Sequence, residues 1–372
     1  MRVFVEYHLI QNFAPSNLNR DDTGSPKDAL FGGFRRVRVS SQCFKRSIRE
    51  TAEAHDLIPR EHRGVRTLQL LNTLVARLTQ RDPEEAKGKV EAALASAGFK
   101  LKDGKSEYLL FLGEQELDAL AQLVEQNWDA LTLEAGKKKK EAKNADIVKQ
   151  VRAVLDGGKA VDVALFGRML ADMPAANRHA ACQVAHAIST HKVEREFDYF
   201  TAVDDLQSEE QTGAGMIGLV EFSSATFYRY ASLDISKLIE NLQNDRDLAL
   251  AALTAFTEAM VRAIPTGKQN SFAANNPPAF IGVCLRYASP LSLANAFEKP
   301  VTPRADKALS ALSVDSLAQY EEQVAQVYAA PNDQWIYLDL SGAWPKEKGD
   351  CAASLAELAD KVRSAVDADL ER

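Results

Sequence analysis

The sequence is poor in the residues that mark metal, redox or secretory chemistry. It holds four cysteines in 372 residues, Cys43, Cys182, Cys284 and Cys351, all far apart and none in a C-x-x-C pair. A cysteine-built zinc site and a disulfide framework are both disfavoured, and a reducing cytoplasm fits. The six histidines form neither H-x-x-x-H nor H-E-x-x-H, and His186 and His191 are five apart across an expected helix end, a poor ligand geometry. No G-x-S-x-G elbow appears. No apolar run approaches the roughly 18 residues of a membrane helix. The opening MRVFVEYHLIQ has no continuous apolar stretch, so no signal peptide is expected. There is no internal repeat of about 20–50 residues. The expectation is a cytoplasmic chain with no cofactor, no metal and no membrane partner.

What is present is enough for a large core. Hydrophobic residues make up 46% and charged residues 26% of the chain, close to the globular average. The length suits two or three domains, or one with a large insertion. The net charge of −7 argues mildly against nucleic acid, but the distribution argues the other way. Between Arg20 and Arg49 stand eight bases (Arg20, Lys27, Arg35, Arg36, Arg38, Lys45, Arg46, Arg49) against three acids (Asp21, Asp22, Asp28). A local positive surface on an acidic body is the footprint to look for.

Along the chain the pattern predicts a strand over Arg2–Gln11, then a polar loop rich in Asn, Asp, Gly, Ser and Pro. Phe34–Ser40 alternates basic and apolar residues and reads as a half-buried strand with a basic face formed by Arg36 and Arg38. Ser40 or Ser41 supplies an N-cap for a helix running to about His55, on which Gln42, Lys45, Arg46 and Arg49 form one stripe. From about Glu61 to Asp156 the pattern is almost wholly helical, with candidate helices at Val65–Leu78, Pro83–Ala97, Glu114–Leu131 and Asn144–Leu155. Ala160–Phe166 reads as a strand and Ala175–Thr190 as an Ala-rich helix. His191–Tyr230 reads as two strand-like arms around a polar, Gly-rich middle, a long hairpin. Helices near 234–243, 246–263 and 313–329, strands at Ala279–Tyr287 and Gln334–Leu340, and a terminal helix from about 350 complete an α+β chain.

Several constellations bear on function. Fixed cations beside a helix N-terminus are what phosphate binding needs, and Ser40, Ser41 and Gln42 add groups that contact sugar and phosphate. The same segment also reads as a solvated helix face paired with acids. The run Lys137–Lys140 with Lys143 reads either as a flexible solvated surface or as a contact to duplex phosphates. Gly213, Gly215 and Gly218 spell G-x-G-x-x-G, but no strand precedes and no helix follows, so a hairpin tip is the better reading than a dinucleotide site. Phe197, Tyr199, Phe200 and Thr201 either pack the arm against its own body or stack on bases. Asp21, Asp22 and Asp28 are the acids best placed for metal-assisted phosphodiester cleavage, or else cap a turn or pair with Arg20.

Taken together, NLNRDDTGSPKDALFGGFRRVRVSSQCFKRSIR (17–49), VDVALFGRM (161–169), QVAHAISTHKVEREFDYFTAVDDL (183–206), EFSSATFYRY (221–230) and PLSLANAFEK (290–299) resemble, in order, the CasC-type backbone subunits of the type I-E CRISPR surveillance complex, Cascade. The resemblance implies an RRM-like (ferredoxin-like) palm over 1–60, 159–190 and 231–372, helical fingers inserted at 61–158, and a hairpin thumb at 191–230. It implies a non-enzymatic protein whose copies assemble head-to-tail along a CRISPR RNA, with target DNA and other Cascade subunits as partners. Arg20, Lys27, Ser40, Gln42, Lys45, Arg46 and Arg49 match the family's RNA-backbone contacts, with Arg49 standing where Lys is commoner. Met169 resembles the residue that props a kinked nucleotide, Phe200 and Thr201 match the thumb's wedge, and Tyr199 stands where a Trp occurs. Lys137, Lys138, Lys140 and Lys143 resemble a helix that touches target DNA. Related backbone subunits cleave RNA with a loop aspartate, so a metal-dependent ribonuclease is the rival expectation; a purely structural homo-oligomer is a third.

Overall fold

A computed structural model of the chain describes the backbone of residues 2–131, 137–156, 158–202 and 216–372, and the side chains of these except 137–145 and 216–217. Its strands are β1 (Phe4–Ser16), β2 (Asp28–Phe31), β3 (Phe34–Val39), β4 (Gly64–Thr67), β5 (Leu101–Lys102), β6 (Lys105–Ser106), β7 (Leu110–Gly113), β8 (Cys182–Val184), β9 (Ala187–Ser189), β10 (Glu196–Ala202), β11 (Met216–Asp234), β12 (Phe280–Arg286), β13 (Gln334–Asp339) and β14 (Asp350–Cys351). Its helices are α1 (Ser41–Ala54), α2 (Leu70–Val75), α3 (Pro83–Ala97), α4 (Glu114–Gln126), α5 (Lys137–Asp156), α6 (Val161–Phe166), α7 (Ile235–Asn241), α8 (Arg246–Arg262), α9 (Gln269–Phe272), α10 (Leu309–Tyr328) and α11 (Leu355–Leu370). The fold is mixed α+β with a central sheet. It divides into two compact units, one of residues 1–55, 183–233 and 253–372, the other of residues 56–182 and 234–252. No helix among the described residues is long and apolar enough to cross a membrane.

The first unit is built on one mixed sheet, ordered β14-β13-β12-β1-β11-β9-β3-β2. β1 lies in its middle and is buried on both faces. Tyr7, on one face, meets Phe256 of α8 edge-on at 5.3 Å and shares a 2.7 Å hydrogen bond with Thr257. Ile10, on the other, packs with Val314 and Leu317 of α10. β1 pairs antiparallel with β12, Phe4 opposite Arg286 and Glu6 opposite Cys284.

Glu6 and His8 share the α10 face without exposure to water. Such groups must be hydrogen-bonded or the sheet loses their hydration for nothing. Arg286 Nε donates to Glu6 Oε2 at 3.0 Å and its Nη1 to Asp333 at 2.8 Å. Tyr230 Oη donates to Glu6 Oε1 at 2.8 Å, and the Leu291 amide donates to the same oxygen. Burial alone would raise the Glu6 carboxyl, but His8, Arg286 and the Leu291 amide hold it below the usual range. Burial pushes His8 down, only partly offset by Glu6, so it stays neutral and hydrogen-bonds Tyr228 Oη through Nδ1 at 2.9 Å.

The second unit has its own core, in which Leu70, Leu74, Val90, Leu117, Leu120, Val151 and Leu155 of α2 to α5 interdigitate beside the short ladder of β4 and β7. Three expectations change here and at the return to the sheet. Val65–Thr67 of the expected helix Val65–Leu78 belongs to strand β4, because it pairs with β7, and only Leu70–Val75 is helical. Val161–Phe166 is a helix rather than a strand: all six residues are buried, and a short apolar run has no periodicity to tell the two apart. Ala175–Thr190 holds β8 and β9 instead of an Ala-rich helix, because Ala187–Ser189 is claimed by β3 and β11 on either side. Tertiary pairing overrides alanine's helical preference.

Glu6→Gln leaves the Arg286 cation buried with half its compensation and should cost about 3–5 kcal/mol, read as a lowered urea midpoint. Both shifts point one way with pH. Glu6 and His8 bind fewer protons folded than unfolded, so their stabilisation is complete above about pH 6.5 and is lost as pH falls through the histidine and then the carboxylate range. The wild-type midpoint should drop over that window, and Glu6→Gln should lack the lower, carboxylate part of the drop.

Candidate nucleic-acid interface

The basic segment folds around the start of α1. Ser40 caps the helix, its Oγ accepting from the Cys43 amide at 3.3 Å, and no acid stands in the first turn. The helix dipole there is therefore uncompensated by the chain itself. Phe44, Ser47, Ile48 and Ala52 are the buried side. Gln42 and Arg46 are exposed, and Lys45 and Arg49 half-buried, along the opposite stripe. Arg46 pairs with Glu50 at 2.7 Å one turn on, both well exposed, a contact of little strength.

The loop before β2 is latched onto this helix end. Asn19 Oδ1 accepts from the Ser40 amide at 2.9 Å, and the Asn19 carbonyl accepts from the Lys27 amide at 2.9 Å. The Lys27 carbonyl in turn accepts from the Arg38 amide at 2.8 Å. Arg20 is exposed and Lys27 half-buried, and neither side chain has an ion-pair partner among the described residues. Arg20, Lys27, Ser40, Gln42, Lys45, Arg46 and Arg49 are thus brought to one surface.

Two of the three loop acids are otherwise engaged. Asp21 Oδ1 accepts from the Thr23 hydroxyl at 2.7 Å and from the Thr23 and Ser25 amides at 2.9 and 3.0 Å, which keeps its carboxyl below the usual range. Asp28 lies between Arg35 at 2.5 Å and Arg195 at 2.7 Å; burial would raise it, and the two guanidinium groups bring it down. Asp22 is exposed. No group of three or more His, Cys, Asp or Glu able to hold a metal occurs among the described residues.

The expected basic face of β3 is a correction. Arg36 is 0% exposed, its guanidinium donating to the carbonyls of Ser189 at 2.9 Å and Phe297 at 2.7 Å. Of the β3 cations near the surface, Arg35 pairs with Asp28 and Arg38 donates to His186 Nδ1 at 2.7 Å. Burial, then Arg38 and Lys27, pull the His186 pKa down, so the neutral ring accepts at Nδ1 and carries its proton on Nε2. His186 belongs to this surface, whereas its sequence spacing raises only the question of a metal ligand. The signal that it lies here is long-range strand pairing, Arg38 opposite Ile188.

The hairpin leaves the same unit. β10 pairs with β11 from Glu196 opposite Phe222 to Ala202 opposite Met216. Every residue of β10 is exposed, so its aromatics do not pack on the body. Phe200 lies across Gly218, where a Cβ would come 2.2 Å from the ring. Tyr199, 63% exposed, sits opposite Leu219 on the other face, beside Thr201. Gly213 and Gly215, with the rest of 203–215, lie outside the described residues. Arg195 ties the hairpin root to the loop by bridging Asp28 and Glu221 at 3.1 Å.

Met169 belongs to the second unit and is 77% exposed. The preceding Arg168 is buried, gripping both oxygens of Glu116 at 2.7 and 2.8 Å and the carbonyls of Leu155 and Ala176. That anchor holds the Met169 backbone while its side chain faces solvent. Lys137, Lys138, Lys140 and Lys143 begin α5; their side chains lie outside the described residues.

A family model described as "CT1975-like protein" matches residues 5–361. Among solved structures, a chain of a "CRISPR RNA-guided surveillance complex, pre-nicking" superposes with a TM-score of 0.84 at 31% identity, covering 97% of this chain and 99% of that one. A chain of a second "CRISPR RNA-guided surveillance complex" gives 0.73 at 26% identity over the same shares. No curated protein matches.

Asn19→Ala removes the acceptor that latches the loop to α1. It should cost about 1–2 kcal/mol, and hydrogen exchange at the amides of Lys27 and Ser40 should accelerate while exchange in β12 is unchanged in rank.

Proposed function

Because the chain belongs to the CT1975-like family, we propose that it is the RNA-holding backbone subunit of a type I-E CRISPR surveillance complex. The observation that carries this reading is the surface at the start of α1, where five cations and two polar side chains surround an uncompensated helix N-terminus while Asp21 and Asp28 are engaged elsewhere. Arg20, Lys27, Lys45, Arg46 and Arg49 hold phosphates of the CRISPR RNA. Ser40 and Gln42 orient the sugar–phosphate chain. Met169 props a displaced nucleotide, and Phe200 and Thr201 on the hairpin shape the displaced base. The lysines at 137, 138, 140 and 143 touch target DNA. Copies assemble head-to-tail along one RNA in the cytoplasm with the other subunits of the complex, and heterologous contacts of that kind generate open helices rather than closed dimers.

The mechanism is binding without catalysis. Lysine and arginine contacts to phosphate carry no sequence information, so base pairing is left to read the target. The engagement of Asp21 by its own turn and of Asp28 by two arginines supports this over the ribonuclease reading.

Five phosphate contacts to a single strand give a salt slope of about −3.5, so affinity should fall roughly 100-fold between about 50 and 200 mM salt, equally for unrelated RNA sequences. Lys45→Glu with Arg46→Glu should abolish RNA co-purification without lowering the thermal midpoint. RNA retained by that variant would refute the assignment. Cleavage of a matched RNA in Mg²⁺, lost on Asp22→Ala or Asp28→Ala, would establish the ribonuclease instead.

A further inference from the structure

The segment between α8 and β12 contains a strained lysine that the surface described above does not use. Six non-glycine residues among those described adopt positive φ; four are Asp, Asn or Gln, the kinds that tolerate it. The other two are Lys268 at φ +52° and Ala273 at φ +47°, and they flank the single turn of α9. Neither side chain can relieve left-handed backbone by bonding to it, so the surroundings must impose it. Strain held in this way concentrates at ligand-gripping positions.

The surroundings are the basic loop itself. Gly267 lies so close to that loop that a Cβ would come 2.3 Å from the Leu18 carbonyl oxygen and 2.8 Å from that of Asn17. Asn276, on the far side of the segment, accepts from Gln11 at 2.7 Å and, through Oδ1, from the Ala14 amide at 3.2 Å. Both ends of the segment are thus clamped to β1 and its continuation, two residues before Arg20. Lys268 is exposed, and its ammonium has no partner among the described residues.

We infer that Lys268 is a further contact to the RNA sugar–phosphate backbone, aimed by the left-handed turn that Gly267 seats against Asn17 and Leu18. The strain fixes where the lysine stem leaves the loop, and the flexible ammonium completes a phosphate contact beside Arg20. This rests on the RNA-binding reading and extends it to a segment far away in sequence.

The test uses the full chain and a labelled single-stranded RNA of mixed sequence, read by anisotropy across a salt series, with melting curves alongside. Lys268→Ala and Lys268→Gly should each weaken binding about fivefold and reduce the salt slope by about 0.7, while Lys268→Arg binds as the parent does. Lys268→Gly should also raise the thermal midpoint by roughly 2 °C, because glycine adopts positive φ without strain. That combination, more stable but weaker in binding, is one a merely structural lysine does not produce. If Lys268→Ala and Lys268→Gly bind like the parent while Lys45→Glu with Arg46→Glu loses RNA, the inference is wrong and the wider reading stands. If all of them bind like the parent, both fall.

Discussion

Glu6 sits in the middle of β1 with no path to water, and its charge constrains the sheet around it. Arg286 answers it from the adjacent strand, on the same face as Phe4 and Glu6. Moving β1 by one residue would turn Glu6 toward α8 and away from Arg286, leaving two buried charges uncompensated. An apolar pair at these positions would tolerate such a slip far better. The ion pair and its Tyr230, Leu291 and Asp333 partners therefore fix the register of β1. That register matters beyond the core, because β1 ends at Ser16 and the loop carrying Arg20 and Lys27 begins at the next residue. Where the loop meets α1, and so where its cations stand, is set from inside the sheet.

Burial also sorts the charges of the basic segment. Of the eight bases between Arg20 and Arg49, Arg36 is swallowed by backbone carbonyls, Arg35 is neutralised by Asp28, and Arg38 holds His186. Those left are Arg20, Lys27, Lys45, Arg46 and Arg49. The five that the family resemblance singles out include Arg20 and Lys27, which have no ion-pair partner among the described residues, and Arg46, whose pair with Glu50 is well exposed. The acids are sorted in the same way, Asp21 into a turn and Asp28 into a bridge with Arg195.

Local chemistry made much of this readable from the chain. Ser40 before an amphipathic run specifies the start of α1, and the period of Phe44, Ser47, Ile48 and Ala52 says which side is buried, so the opposite stripe of Gln42, Lys45, Arg46 and Arg49 follows. What could not be read depends on partners distant in sequence. Arg36 looks like its neighbour Arg38 until Ser189 and Phe297 arrive over it. Ala187–Ser189 is alanine-rich context claimed as a strand by β3 and β11. Val161–Phe166 is apolar but for Asp162, and only burial on all sides distinguishes a short helix from a strand there. His186 and Lys268 approach the basic loop from segments about 160 and 240 residues away, with no local signature to announce it.

The loop and the hairpin root are one mechanical piece. Asn17 donates from a single amide to the carbonyls of Gly24, in the loop, and Glu221, in β11, at 3.0 and 2.9 Å. Arg195, on the other arm, joins Asp28 to the Glu221 side chain. A phosphate held by Arg20 or Lys27 is therefore held by the same framework from which β10 and β11 emerge. On the proposed reading, the grip on the RNA strand must stay in fixed phase with the element that displaces a base, since a drift between them would place the kink at a different nucleotide. Two short polar bridges at the hairpin root, both closed within this unit, would supply that phase without any contact to a base edge.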